Sequence, residues 1–188
     1  MTGPQIAVLG AGSWGTALAL QLDRSGSHSI LWDLDTENLE RIRATRLNQR
    51  YLPGIDVPES IVVENDMLMA VKAADHVLVV TPSHAFAAVM KTIREVLVPG
   101  QDVAWACKGF EPGSGRLLHQ VARELLPEST PLAIATGPSF AKEVAMNLPT
   151  AITVAGPDRG FTKTMADALH GGRFRAYTSD DMIGAELG

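Results

Sequence analysis

A chain of 188 residues, 46% hydrophobic and 20% charged, is long and apolar enough to bury a core, which excludes a disordered tether. A formal net charge of −5 argues against a general nucleic-acid binder, which needs a basic surface. The single cysteine, Cys107, forbids an intrachain disulfide, and no signal peptide or membrane-length apolar run is visible, so a soluble protein of a reducing cytoplasm is expected.

Ile6-Ala-Val-Leu9 is a short apolar run that predicts a buried strand, and Ser13 to about Arg24 has helical spacing. Between them lies Gly10-Ala-Gly12-Ser-Trp-Gly15. Strand, G-x-G-x-x-G, helix is the context of a dinucleotide fingerprint; the bland alternative is an ordinary glycine turn. In the fingerprint reading Gly10 makes the tight turn, Gly12 lets the backbone approach a pyrophosphate, and Gly15 lets the helix lie close to the strand. The helix N-terminus adds N–H groups and the positive end of its dipole.

Ser29–Asp33 predicts a second strand, and Leu39, Ile42, Arg43 and Arg46 follow at helical spacing. Asn48 to Pro58 carries the loop signal Tyr51-Leu-Pro-Gly54, Ile61–Glu64 is a short strand, and Asp66 is placed to cap a helix through Lys72. Strands His76–Val80, Asp102–Ala106, Pro131–Ala135, Ala151–Ala155 and Arg173–Tyr177 then alternate with helices. The helices run to about Leu97, over Arg116–Leu126, Phe140–Met146 and Phe161–Leu169, and a last one begins at Asp181, capped by Ser179 or Asp180. Met67, Met69, Met90 and Met165 read as core filler. This alternation predicts an α/β, Rossmann-like, doubly wound and mostly parallel sheet with helices on both faces, residues 1–188 forming one dinucleotide-binding domain.

Ligands of such sheets bind outside the carboxyl ends of the strands. The candidate site is therefore Gly10–Gly15, Asp33-Leu34, Thr81–His84 (with Pro82 on the cofactor side), Cys107–Gly109 and Thr136–Phe140. Lys108 is the one cation among them. A lysine at a strand end beside a helix N-terminus binds phosphate or donates to a carbonyl oxygen, unless it is a solvated surface residue. Asp33 stands about twenty residues beyond the fingerprint, where an acid bonds the ribose hydroxyls and favours NAD over NADP. The alternative is a helix-entry aspartate, a role for which Asp35 and Thr36 compete. Gly137-Pro-Ser139-Phe-Ala141-Lys142 opens a helix, with N–H groups and the Ser139 hydroxyl directed at an anion, capping the helix, or both. Cys107 reads as a buried small hydrophobe, and His84 and His119 as structural or solvated. No Cys/His spacing of the zinc type is present, so no metal is expected.

Several motifs together resemble the bacterial glycerol-3-phosphate dehydrogenase family. They are Gly10-Ala-Gly-Ser-Trp-Gly-Thr-Ala-Leu18, Tyr51-Leu-Pro-Gly54, Val80-Thr-Pro-Ser83, Trp105-Ala-Cys-Lys-Gly-Phe-Glu111, Gly137-Pro-Ser-Phe-Ala-Lys-Glu-Val144, Leu148-Pro-Thr-Ala151 and Asp181-Met-Ile-Gly-Ala-Glu-Leu-Gly188. The resemblance implies NAD(P)H-dependent, reversible reduction of dihydroxyacetone phosphate to sn-glycerol 3-phosphate, feeding phospholipid synthesis. It implies that Ser13, Trp14 and Ala141 contact the cofactor, that Lys108 touches cofactor and substrate, and that Gly137 and Ser139 touch the substrate. It also implies a homodimer, a helical C-terminal domain, and a catalytic lysine just past Gly188. On that basis the chain reads as an N-terminal fragment that is inactive alone. Family members that use NADPH often carry a basic or histidine residue after the second strand; here Asp33 and Leu34 stand there, with arginines only at 41, 43, 46 and 50, which favours NADH. The competing readings are another two-domain dehydrogenase, acting on a 3-hydroxy acid or a UDP-sugar, and a non-catalytic nucleotide-sensing module.

Overall fold

The computed structural model describes residues 3–188. The first half of the chain forms β1 (Gln5–Leu9), α1 (Ser13–Arg24), β2 (His28–Trp32), α2 (Thr36–Thr45), β3 (Val62–Val63), α3 (Met67–Lys72), β4 (His76–Val79) and α4 (Ser83–Arg94). The second half forms β5 (Asp102–Trp105), α5 (Leu118–Leu125), β6 (Leu132–Thr136), α6 (Ala141–Ala145), β7 (Thr150–Ala155), α7 (Arg159–Leu169), β8 (Phe174–Ser179) and α8 (Met182–Leu187). The eight strands make one sheet in the order β3-β2-β1-β4-β5-β6-β7-β8. This is a Rossmann-like arrangement.

β1 lies in the interior of the sheet, with Ile6 opposite Ser29 of β2 on one side and His76 of β4 on the other. Its residues Ile6 to Leu9 are fully buried, which is why the run is apolar without alternation. From β1 the chain winds outward through β2 to β3, and from β4 it winds the other way through β5 to β6, all in parallel. Right-handed crossovers running in opposite directions put their helices on opposite faces. Accordingly α1 packs with α6 and α7, while α4 packs with α3 and α5. Trp105 and Phe86 anchor the second layer, their rings 5.6 Å apart at 67°.

The expected sheet is mostly parallel, and the exception falls at β7. That strand runs antiparallel to β6, with Thr136 opposite Thr153, and β8 then runs parallel to β7. Between β6 and β7 stands only the five-residue α6, and the chain re-enters the sheet at the end where β6 left it.

Smaller differences have local causes. α5 begins at Leu118, not Arg116, because Arg116 closes the preceding loop, where its guanidinium pairs with Glu111 at 2.9 Å and with Glu124. α8 begins at Met182 and is capped by Asp181, which accepts the Gly184 N–H at 2.8 Å; neither Ser179 nor Asp180 caps it. Met90 and Met165 are fully buried, whereas Met69 is 56% exposed on α3 and is no core residue. No helix of the described residues is long and apolar enough to cross a membrane.

Candidate functional site

The order of the sheet reverses between β1 and β4, and the crevice of an open α/β sheet lies at such a switch point. Here the crevice is a cavity of about 270 Å³ lined by Gly10, Gly12, Asp33, Leu34, Tyr51 and Thr81-Pro82, among others. Its floor is the glycine loop. Gly10 has φ +126, and a Cβ there would lie 2.5 Å from the Val80 carbonyl oxygen. A Cβ on Gly15 would lie 1.8 Å from the Gly10 oxygen, so α1 sits on the strand end as closely as backbone allows. Gly12 differs from both. A Cβ there would meet nothing within 4 Å, so no contact inside the protein calls for glycine at that position. What Gly12 leaves is space beside the first turn of α1, which carries neither a side-chain cap nor an acidic residue. That is the donor-rich, unobstructed backbone that a dinucleotide pyrophosphate fits.

Two side chains hold the loop. The Asp33 carboxylate accepts the Ala11 N–H through Oδ2 and the Asp35 N–H, at 2.9 Å, through Oδ1. Each oxygen keeps a lone pair for another donor. Helix entry belongs to Asp35, which accepts the Asn38 N–H at 3.0 Å, so Asp33 is not that cap. The second is Asn48, which the sequence reading passed over as the start of a loop. It is fully buried, and its Nδ2 donates to the Ala11 carbonyl and to Thr16 Oγ1, both at 2.8 Å, while its Oδ1 accepts from Asn38 Nδ2 at 3.2 Å. Asn48→Ala is expected to destabilise the protein by about 2 kcal/mol, because three buried polar groups lose a partner together. Denaturant unfolding measures this, and a loss under about 0.5 kcal/mol would show that water replaces the amide.

A second cavity of about 270 Å³ opens at the ends of β5 and β6, lined by Cys107–Phe110, Leu118, Thr136, Gly137 and Glu186 among others. Lys108 is its one cation among the described residues. The ammonium lies 5.9 Å from the centroid of the Trp14 ring, so Lys108 joins this cavity to the fingerprint helix. Such a contact is worth about 0.5–1 kcal/mol at an exposed site, weak enough for an anion to displace. The Cys107 thiol, 7% exposed beneath it, is pushed up to about 12 by burial, and this is the inert small hydrophobe expected.

Ser139 does not line this cavity; it is buried two residues beyond Gly137 and does not cap α6. Phe140 stands at the cap of α6, and the Ser139 hydroxyl turns back toward the Gly137 carbonyl at 3.4 Å. Gly137 passes close to β7, where a Cβ would lie 3.0 Å from the Ala151 oxygen. Ala141 opens α6 and packs against the core. α6 is held from below by Arg24 at the other end of α1, whose guanidinium donates to the Val144 carbonyl at 2.7 Å and to that of Ala145. One helix thus sets both the glycine loop and the Gly137–Ala141 segment. Ser13 is exposed at the start of α1, and Pro82, which lines the first cavity, caps α4 without a side-chain bond. A wider groove of about 740 Å³ between α7 and β8 contains none of these residues.

Residues 5–162 match the family model described as the NAD-dependent glycerol-3-phosphate dehydrogenase N-terminus. The chain is 57% identical over 184 residues to a glycerol-3-phosphate dehydrogenase [NAD(P)+] of Xanthomonas euvesicatoria, covering 98% of this chain and 54% of that protein. A protein of the same name from Stenotrophomonas maltophilia is 57% identical over 187 residues, covering 100% and 55%. Among solved structures, glycerol-3-phosphate dehydrogenase from Coxiella burnetii superposes with a TM-score of 0.93 at 42% identity, covering 100% of this chain and 57% of that one. The chain thus spans about half the length of the curated relatives it matches. The matched segment contains the glycine loop, Asp33, Lys108 and Gly137–Ala141, and the chain belongs to the NAD(P)-dependent glycerol-3-phosphate dehydrogenase family, whose N-terminal, dinucleotide-binding part it carries.

Proposed function

We propose that the complete protein reversibly reduces dihydroxyacetone phosphate to sn-glycerol 3-phosphate with NADH, supplying glycerophospholipid synthesis. The observation that carries this reading is the place of Lys108: a single cation in the cavity beyond β5, leaning on Trp14 of the helix that begins at the glycine loop. The nicotinamide cofactor, when bound, supplies the hydride. The chain's own residues do the rest. Gly10, Gly12, Ser13, Trp14 and Gly15 seat the pyrophosphate, and Pro82 and Ala141 wall the dinucleotide. Lys108 holds the substrate and opposes the negative charge that grows on its C2 oxygen, with Gly137 and Ser139 at the substrate's other side. A proton must also reach that oxygen, and we assign this to a lysine in the sequence that the longer relatives carry beyond the matched part.

The preference for NADH rests on Asp33, which lines the first cavity at the position of a ribose-binding acid. The nearby arginines are engaged elsewhere: Arg41 with Glu37, Arg43 with Glu40, Arg46 with Glu59 at 2.7 Å and Arg50 with Asp35.

The test is a spectrophotometric assay of the complete protein with dihydroxyacetone phosphate or a 3-oxo acid and NADH or NADPH, and, in the oxidative direction, with a UDP-sugar and NAD+ or NADP+. Oxidation of NADH that depends on dihydroxyacetone phosphate is expected. Turnover of either other substrate instead overturns the reading, and a strong preference for NADPH removes the role given to Asp33.

A further inference from the structure

Glu186 is the one acidic side chain lining the Lys108 cavity among the described residues. Its side chain is only 4% exposed, an expensive place for a carboxylate unless its oxygens are bonded. They are. Oε1 accepts the backbone N–H of His119 at 3.0 Å, one of the unpaired donors of the first turn of α5, and Oε2 pairs with His119 Nδ1. Lys108, on the same cavity, has no ion-pair partner among the described residues. Two opposite charges therefore line one cavity of about 270 Å³, each held by a different partner: Glu186 by His119, Lys108 against the Trp14 ring.

We propose that His119 is a specificity-determining residue: it holds the Glu186 carboxylate against the start of α5, keeps that acid off Lys108, and so leaves the lysine to an anionic ligand. Were the imidazole absent, Oε2 would lose its partner in a cavity whose one lining cation among the described residues is Lys108, and a Lys108–Glu186 pair would compete with any phosphate. The sequence reading of His119 as merely structural or solvated misses this, because its partner lies 67 residues away.

The inference rests on the cavity being the anionic substrate's, so the probe is inorganic phosphate, which requires no particular carbon skeleton. Phosphate affinity is measured calorimetrically on the complete protein with NADH saturating, which occupies the glycine loop. His119→Ala should weaken phosphate binding about ten-fold by freeing a competing charge, and His119→Ala/Glu186→Gln should restore it to within about three-fold. Glu186→Gln alone keeps the size and the acceptor for the His119 N–H, and should bind phosphate at least as well as the unsubstituted protein. A purely structural role predicts the reverse, a double variant weaker than either single one, and that result overturns the proposal. So does an unchanged affinity in His119→Ala, or no phosphate binding by the unsubstituted protein. A protein that shows the expected pattern yet does not reduce dihydroxyacetone phosphate would sink the substrate reading and leave this one standing.

Discussion

Replacing Lys108 by alanine in the complete protein is expected to lower kcat/KM for dihydroxyacetone phosphate by about 10²–10³-fold while leaving the melting temperature within a degree or two. The two halves of this expectation have separate causes. Lys108 is exposed, and its one contact of note is with the Trp14 ring, so little of the fold depends on it. Its position in the second cavity, against Trp14 of α1, is the basis on which the proposed function gives it both cofactor and substrate. The loss should fall mainly on kcat, because the charge that Lys108 opposes is larger in the transition state than in the ketone. Lys108→Arg keeps the charge but replaces a point donor by a planar fork, and it should recover only part of the rate. Near-normal kinetics in Lys108→Ala would remove the residue from the site.

The second large effect separates two glycines three residues apart. Gly15→Ala is expected to destabilise the protein by about 3 kcal/mol and to abolish NADH binding, since its Cβ would sit 1.8 Å from the Gly10 oxygen and only a shift of α1 relieves this. Gly12→Ala meets no protein atom within 4 Å, so the fold should tolerate it. NADH should nonetheless bind at least ten-fold more weakly, a loss of about 1.4 kcal/mol, because the new methyl occupies the approach of the pyrophosphate. Thermal unfolding and NADH titration of the two variants test both at once. Equal NADH affinity in Gly12→Ala and the unsubstituted protein would place the pyrophosphate elsewhere.

The strands up to β6 were legible in the sequence because each is a nearly continuous apolar run ended by Gly, Pro or a small polar residue. β7 and β8 alternate buried and exposed residues, the mark of strands with one open face. That pattern tells which face is buried but not which way the strand runs, so the reversal at β7 was not legible. The glycine loop and Lys108 were legible because their chemistry is local to a motif. Asn48 was not, since its partners Ala11 and Thr16 lie 37 and 32 residues earlier and nothing in its own neighbourhood distinguishes it from any loop asparagine. Asp33 was placed correctly at the end of β2, but its bond to the Ala11 N–H adds a second task, bracing the loop, that spacing alone does not reveal.

The reversal at β7 also decides where the last helix travels. With β7 and β8 both inverted, β8 finishes at the pole of the sheet away from the ligands. α8 then starts there, with Met182 and Ile183 beside Leu132 at the beginning of β6, and climbs until Glu186 and Leu187 stand beside Thr136 and Gly137 at its end. Had β7 followed the parallel rule, the same helix would have set out from the ligand pole and carried Glu186 away from it. One inverted strand pair thus changes the parity of the winding, and the heading of the chain's final turn follows from that parity.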